Sequence, residues 1–183
     1  GSVHEHDPGP WARVAGADYD RWWFESSTTV ELTAMLISSH ARRAAAREEH
    51  RVGLLDRGLP TLLAAAAATA MVKDGLDVAA ALHTVGEVAA SLATPPEFAV
   101  LLLPCRDAER SVAITQAREG RPWTGVYPTY QRRLHQGLLH QADQGVYDVV
   151  LVCEDRSPGH IHHDVLRALA SDHVNVALFQ GDR

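Results

Sequence analysis

Residues 159–164, with the sequence GHIHHD, hold three histidines and one aspartate within five positions. On a helix, His160, His163 and Asp164 fall at positions i, i+3 and i+4, so two imidazoles and one carboxylate share a face. Such groups suit zinc or iron, and three protein ligands leave a coordination position open for water. The spacing therefore predicts a divalent metal site. The alternative interpretation is a helix start whose histidines lie at the surface.

Polar residues follow two apolar runs, 98–103 and 147–153, at the points where buried strands would end. They are Cys105, Arg106, Asp107, Glu154, Asp155 and Arg156. Ligands bind outside the carboxyl ends of strands in open parallel sheets, so neighbouring strands would gather these groups at one rim. We expect ligand contacts from Arg106, Asp155 and Arg156. The candidate catalytic groups are Cys105, Asp107 and Glu154. The alternative is that loops after strands are polar simply because they are solvated.

The elements that would position these groups change character at residues 95 and 96, which are both proline. Residues 21–94 have helical periodicity and predict three helices. Thr28 and Glu31 form a capping-box pattern at the start of the first, which runs to about residue 50. Pro60 fits the first turn of the second helix, and Asp77 can cap the third.

Residues 95–183 predict alternating strands and helices. The expected strands are 98–103, 111–116, 147–153 and 174–179, and the expected helices are 128–144 and one that begins at Ser157. The stretch 147–179 is then a β-α-β unit, whose two strands pair in parallel with a right-handed crossover. The predicted fold is α/β or α+β, with a three-helix segment packed on a small, mainly parallel sheet in one compact domain.

Composition restricts the partners and the compartment. A formal net charge of −6 argues against a broad phosphate-binding surface, so we do not expect nucleic acid as a partner. No apolar run reaches the roughly 20 residues of a membrane span. Two cysteines do not suggest a disulfide scaffold, and we expect a reducing, cytoplasmic location. Lys73 is the only lysine among 17 basic residues, a bias typical of high-GC bacteria.

The two ends of the sequence give further expectations. Gly1 and Ser2 resemble the scar of a cleaved tag, and residues 1–20 lack periodicity, which predicts a loose arm. The last predicted strand ends a few residues before Arg183, so the chain is expected to be either a whole domain or one excised from a longer protein.

The three adjacent aromatic residues Trp22, Trp23 and Phe24 are the clearest candidate for a protein interface. Three large apolar side chains in a row cannot all point inward from one short segment, and aromatic residues are enriched at interfaces. We therefore expect self-association or partner docking through this cluster. The alternative is that the cluster is part of the core.

Three classes of function fit these observations. The first is a regulatory or accessory domain that binds a small, anionic ligand or a protein partner without chemistry. The second is a metal-dependent hydrolase that uses His160, His163 and Asp164, with Glu154 as general base. The third is a nuclease-type effector, which the negative charge disfavours.

Overall fold

The fold was analysed in a computed structural model that describes residues 16, 18–45, 55–92, 97–120 and 122–171. Its elements, in chain order, are α1 (Tyr19–Arg21), a π-helical turn (Trp22–Ser26), α2 (Thr29–Ala45), α3 (Leu59–Lys73), α4 (Val78–Ala90), β1 (Val100–Leu103), α5 (Ala108–Glu119), α6 (Tyr127–Asp143), β2 (Val149–Val152) and α7 (Pro158–Ser171). The fold is mixed α/β with mostly helical content, as predicted. None of the helices among the described residues is both long and apolar enough to cross a bilayer.

The three helices predicted for the first half of the chain are confirmed as α2, α3 and α4. Both hydrogen bonds of the capping box at the start of α2 are present. Glu31 N–H donates to the Thr28 hydroxyl over 3.1 Å, and the Glu31 carboxylate accepts from Thr28 N–H over 2.8 Å. Asp77 caps α4 by accepting the N–H of Ala80 over 2.8 Å. Local sequence signals therefore set these helix starts.

Helix α3 lies at the centre of the molecule and packs against α2, α4 and α6. Its residues 64–68 are five consecutive alanines, and all five are buried. A helix that is apolar on every side is one enclosed by neighbours on every side. The small side chains also allow α6 to pack closely against α3. A Cβ added at Gly137 of α6 would lie only 3.7 Å from the Cβ of Ala64.

The aromatic cluster is packed into this helical core. Trp22 and Trp23 each keep only 8% of their surface exposed, and the Trp23 indole donates to the Thr69 hydroxyl over 2.9 Å. Phe24 is half-buried, and its ring meets that of Tyr130 edge-on with 5.2 Å between centroids. The π-helical turn directs Trp22 and Trp23 inward and lays the half-buried Phe24 against α6, so the two tryptophans belong to the core, as the alternative interpretation held. Self-association through the cluster stays a prediction.

Within the described ranges the sheet consists of β1 and β2, which pair in parallel with Leu103 opposite Val152. Both strands lie within the apolar runs predicted to form them. Leu101 and Leu103 are buried, but Leu102 is 49% exposed, so β1 is covered on one face rather than on both as expected. The predicted strand 174–179, and hence its pairing in a β-α-β unit, lies outside the described residues.

The predicted strand 111–116 is wrong, because these residues belong to helix α5. Asp107 caps this helix by accepting the N–H of Arg110 over 2.7 Å, and Gly120 ends it with a φ of +68°. A weak apolar alternation over six residues does not outweigh a good cap at one end and a left-handed glycine at the other. The helix carries the chain from the end of β1 back towards α6, on which it packs.

Candidate functional site

The two parallel strands bring the predicted site residues to one edge of the sheet. Since β1 and β2 are adjacent and run in the same direction, residues 105–107 and 154–156 both follow at the carboxyl end. We call these six residues, with the helix starts that come after them, the rim. The sequence-based prediction of a shared site required these two strands to be neighbours, and they are.

An ion pair joins the two halves of the rim. Arg110, in the first turn of α5, pairs with Glu154, which follows β2. Asp107 is also occupied, as the N-cap of α5. Two of the three candidate catalytic groups therefore have structural partners. Sequence reasoning missed Arg110 because it placed a strand, and not a helix start, just beyond Asp107.

The thiol of Cys105 is enclosed beneath the rim. It is 1% exposed and donates to the backbone carbonyl of Asp107 over 3.1 Å, which closes the loop between β1 and α5. Cys153 is also a free thiol, and burial, opposed by the Arg156 guanidinium, raises its pKa above the usual value. Burial and a raised pKa both disfavour the thiolate, so this geometry does not favour a nucleophilic cysteine at the rim.

The predicted metal ligands lie on α7, but Asp164 is engaged by arginines. One carboxylate oxygen of Asp164 pairs with Arg156 and the other with Arg167. His160 and His163 are both exposed. Within the described part of the chain, no group of three or more His, Cys, Asp or Glu side chains is arranged to hold a metal ion. The metal site stays a prediction, and the geometry adds no support to it.

A small pocket of about 90 Å³ opens beside the carboxyl end of β1, between α5 and α6. It is lined by Leu103, Pro104, Ser111, Val112, Thr115, Gln131, Leu134, His135 and Leu138. Five of the nine lining residues are apolar, and Ser111, Thr115, Gln131 and His135 place polar groups among them. Sequence reasoning did not find it, because residues 111–116, which form one of its walls, were predicted as a strand and not as part of a helix.

His135 ties this pocket to the rim. Its side chain is 4% exposed, and Nε2 lies 3.1 Å from the backbone carbonyl oxygen of Arg106. A carbonyl oxygen only accepts, so Nε2 carries the proton of this hydrogen bond. The contact fixes the backbone of Arg106 against α6 while its side chain stays exposed.

The three residues predicted to contact a ligand, Arg106, Asp155 and Arg156, differ in whether their side chains already have partners. Arg156 is paired with Asp164, whereas Arg106 has no ion-pair partner among the residues that the structure describes. Asp155 is exposed and has a left-handed φ of +57° in the tight turn after β2. The next helix, α7, begins at once, with the Ser157 hydroxyl accepting the N–H of His160 over 3.3 Å. The rim thus combines two helix N-termini with the exposed side chain of Arg106, which is unpaired among the described residues.

Comparisons of the chain with protein-family models, with curated proteins and with solved structures gave no match. The function has to be inferred from the side chains at the rim and in the pocket, since one fold can host many activities.

Proposed function

We propose that this chain is a regulatory or accessory domain that binds a small anionic ligand at the rim, without transforming it. The observation that supports this most is the exposed guanidinium of Arg106, which has no ion-pair partner among the described residues. Arg106 lies in the loop between β1 and α5, and its backbone carbonyl contacts His135 in the wall of the pocket. Helix N-termini stabilise nearby anions through their free N–H groups and the helix dipole. Arginine adds charge-assisted hydrogen bonds to a carboxylate or phosphate.

Binding is a better interpretation than hydrolysis because most of the acids at the rim already have partners within the protein. Asp107 caps a helix, while Glu154 and Asp164 pair with arginines. A general base has to reach a substrate proton, and these three carboxylates are held in other contacts. The hydrolase and nuclease alternatives would need one of them to be released, or would have to use Asp155, which is exposed.

The pocket suggests the shape of the ligand. A volume of about 90 Å³ is below the several hundred cubic ångströms typical of sites that enclose a whole ligand. The apolar walls formed by Leu103, Leu134 and Leu138 suit a short hydrocarbon group. A short-chain carboxylate would place its tail in the pocket and its charge beside Arg106.

Calorimetric titration with butyrate, acetate and inorganic phosphate tests the proposal. We expect butyrate to bind more tightly than acetate, because only butyrate fills the apolar walls. Arg106→Ala should weaken butyrate and phosphate binding about tenfold or more, the typical effect of losing a charged hydrogen bond. Arg118→Ala is the matched control, since it removes an exposed arginine from the opposite end of α5.

Two results would contradict the proposal. One is that none of the three anions binds, and the other is that Arg106→Ala and Arg118→Ala weaken binding equally, as a general charge effect would. Titration with zinc examines the hydrolase alternative. Stoichiometric zinc binding that is lost in His160→Ala/His163→Ala would replace the ligand-binding interpretation with a metal site.

The proposed location is the cytoplasm. Cys105 and Cys153 are both free, which suits a reducing compartment.

A further inference from the structure

A buried cluster of charged and titratable groups lies in the helical half of the molecule, apart from the rim. His40 of α2 is fully buried, and neither of its ring nitrogens has a hydrogen-bond partner in the part of the chain that the structure describes. Arg43, one turn further along the same helix, is 7% exposed, and its Nε also lacks a partner among these residues. Buried polar groups are nearly always hydrogen-bonded, so three unpartnered nitrogens at one place need a physical explanation.

The third member is Glu97, whose carboxylate lies between His40 and the start of α3. One oxygen accepts the N–H of Leu59 over 2.6 Å and so caps the helix. The other lies 3.3 Å from the His40 Nε2, close enough for an ion pair but without the alignment of a hydrogen bond. Gly58 leaves room for the carboxylate, since a Cβ there would lie 2.7 Å from it. Glu97 thus links the segment before β1 to the helical core.

Arg43 cannot leave the cluster without breaking other contacts. Its two terminal nitrogens donate to the backbone carbonyls of Asp56 and Arg57, over 2.8 Å and 3.1 Å. Arg57 has a left-handed φ of +57°, which is uncommon for a residue other than glycine. The guanidinium holds this turn together, and its charge stays close to His40.

No other described charge competes at this place. Helix α3 carries only Lys73, at its far end, and α4 carries His83 and Glu87, which are mostly exposed and pair with each other. Burial lowers the pKa of His40 below its usual value; the Glu97 carboxylate opposes this effect, and the Arg43 guanidinium reinforces it. The imidazole is accordingly neutral near pH 7.

We propose that His40, Arg43 and Glu97 form an acid-sensitive latch, which holds residues 97–99, directly before β1, on the start of α3 and opens when His40 takes up a proton. Protonation would place a second cation beside Arg43, at a buried position. The single carboxylate of Glu97 would then have to serve the imidazolium as well as Leu59 N–H. Opening the cluster to water resolves this conflict by hydrating the new charge.

The direction of the pH effect follows from the lowered pKa. Above the pKa of His40 in the unfolded chain, about 6.5, both states hold the imidazole neutral and the latch contributes fully to stability. Below it, the unfolded or opened chain binds a proton that the closed latch resists. The contribution is therefore lost as the pH falls through the lowered, folded-state pKa.

Amide hydrogen exchange of Leu59 measures the latch directly, because that N–H is the one that Glu97 holds. Between about pH 7 and about pH 5, the protection factor in the wild type should fall, by up to tenfold per pH unit for one proton. In His40→Leu, an apolar replacement of similar volume, it should not depend on pH. His83→Leu is the matched control, since it removes an exposed histidine that also pairs with a glutamate.

A second measurement covers the case in which His40→Leu does not fold. Glu97→Gln keeps the size of the side chain but removes its charge, and the His40 ring can be followed by NMR in this variant and in the wild type. We expect His40 to titrate at lower pH in Glu97→Gln, since the one favourable charge is gone. Two results would overturn the latch. One is that His40 titrates at the same pH in both proteins, and the other is that the protection of Leu59 N–H falls equally in the wild type and in His40→Leu.

Discussion

Helices α3, α4 and α5 each begin with a backbone N–H group that donates a hydrogen bond to an acidic side chain. Asp77, Asp107 and Glu97 each accept such an N–H, over 2.8, 2.7 and 2.6 Å. An anion in this position satisfies an orphan donor and interacts favourably with the helix dipole, which together contribute about 1 kcal/mol. The first two lie directly before their helices, whereas Glu97 reaches α3 from a segment 38 residues away.

Gly58→Ala tests how tightly Glu97 fits. The new Cβ would lie 2.7 Å from the Glu97 carboxylate, which must move and give up its hydrogen bond to Leu59. We expect the free energy of unfolding in urea to fall by about 1 kcal/mol or more. Gly86→Ala is the control, since nothing lies within 4 Å of its added Cβ, and it should stabilise α4 by roughly 0.5–1 kcal/mol. Unchanged stability in Gly58→Ala would mean that the Glu97 carboxylate can accommodate the new Cβ without losing its hydrogen bond to Leu59.

At the scale of elements, the π-helical turn Trp22–Ser26 closes one side of the helical core. Trp23 is buried and reaches α3 through its indole, and Ser27, at the end of the turn, receives a hydrogen bond from Lys73 on the same helix. A cation at the C-terminal end of a helical turn is favourable. The turn is therefore attached to α3 by both packing and polar contacts.

Trp23→Ala should accordingly act on stability. We expect a loss of about 3–5 kcal/mol, the usual effect of removing a buried aromatic side chain, seen as a lower midpoint in urea unfolding. Trp123→Ala is the comparison, because that indole is only half-buried and donates to the exposed Glu119. Similar losses in the two variants would show that the turn contributes no more to the core than a surface tryptophan.

The elements that sequence predicted correctly are those with local signals. Thr28 with Glu31, and Asp77, are caps that can be recognised within four residues, and the helices they start are present. The strand predicted at 111–116 failed because six residues of weak alternation fit a helix equally well. Neither strand pairing nor the His40–Glu97 contact could be predicted, since partners 49 and 57 residues apart leave no pattern in spacing.

At the scale of the whole molecule, a chain of hydrogen bonds connects the sheet region to the helical core. The Tyr147 hydroxyl, just before β2, donates to Gln141 on α6 over 2.8 Å. The amide of Gln141 in turn donates to the Pro60 carbonyl, in the first turn of α3, over 3.1 Å. All the links are buried or partly buried, so water does not readily replace them.

Alkaline titration tests this connection. Burial raises the pKa of Tyr147 to about 12, from an ordinary value of 10. Stability from the protonated tyrosine is present below about pH 10 and is lost as the pH rises towards about 12, because the unfolded chain releases the proton first. Tyr147→Phe should be less stable at neutral pH but should lose less between about pH 9 and about pH 11. Tyr127→Phe, at a half-buried position, should keep the wild-type slope, and the same slope in all three proteins would contradict the role of Tyr147.

The five buried alanines at 64–68 also determine how this protein can change over generations. An amphipathic helix accepts varied residues on its solvent face and restricts only one side. Helix α3 has no such free side along this stretch, and a larger side chain at any of the five positions would push a neighbouring helix away. Substitutions should therefore accumulate most slowly at these alanines, although their side chains carry no functional groups.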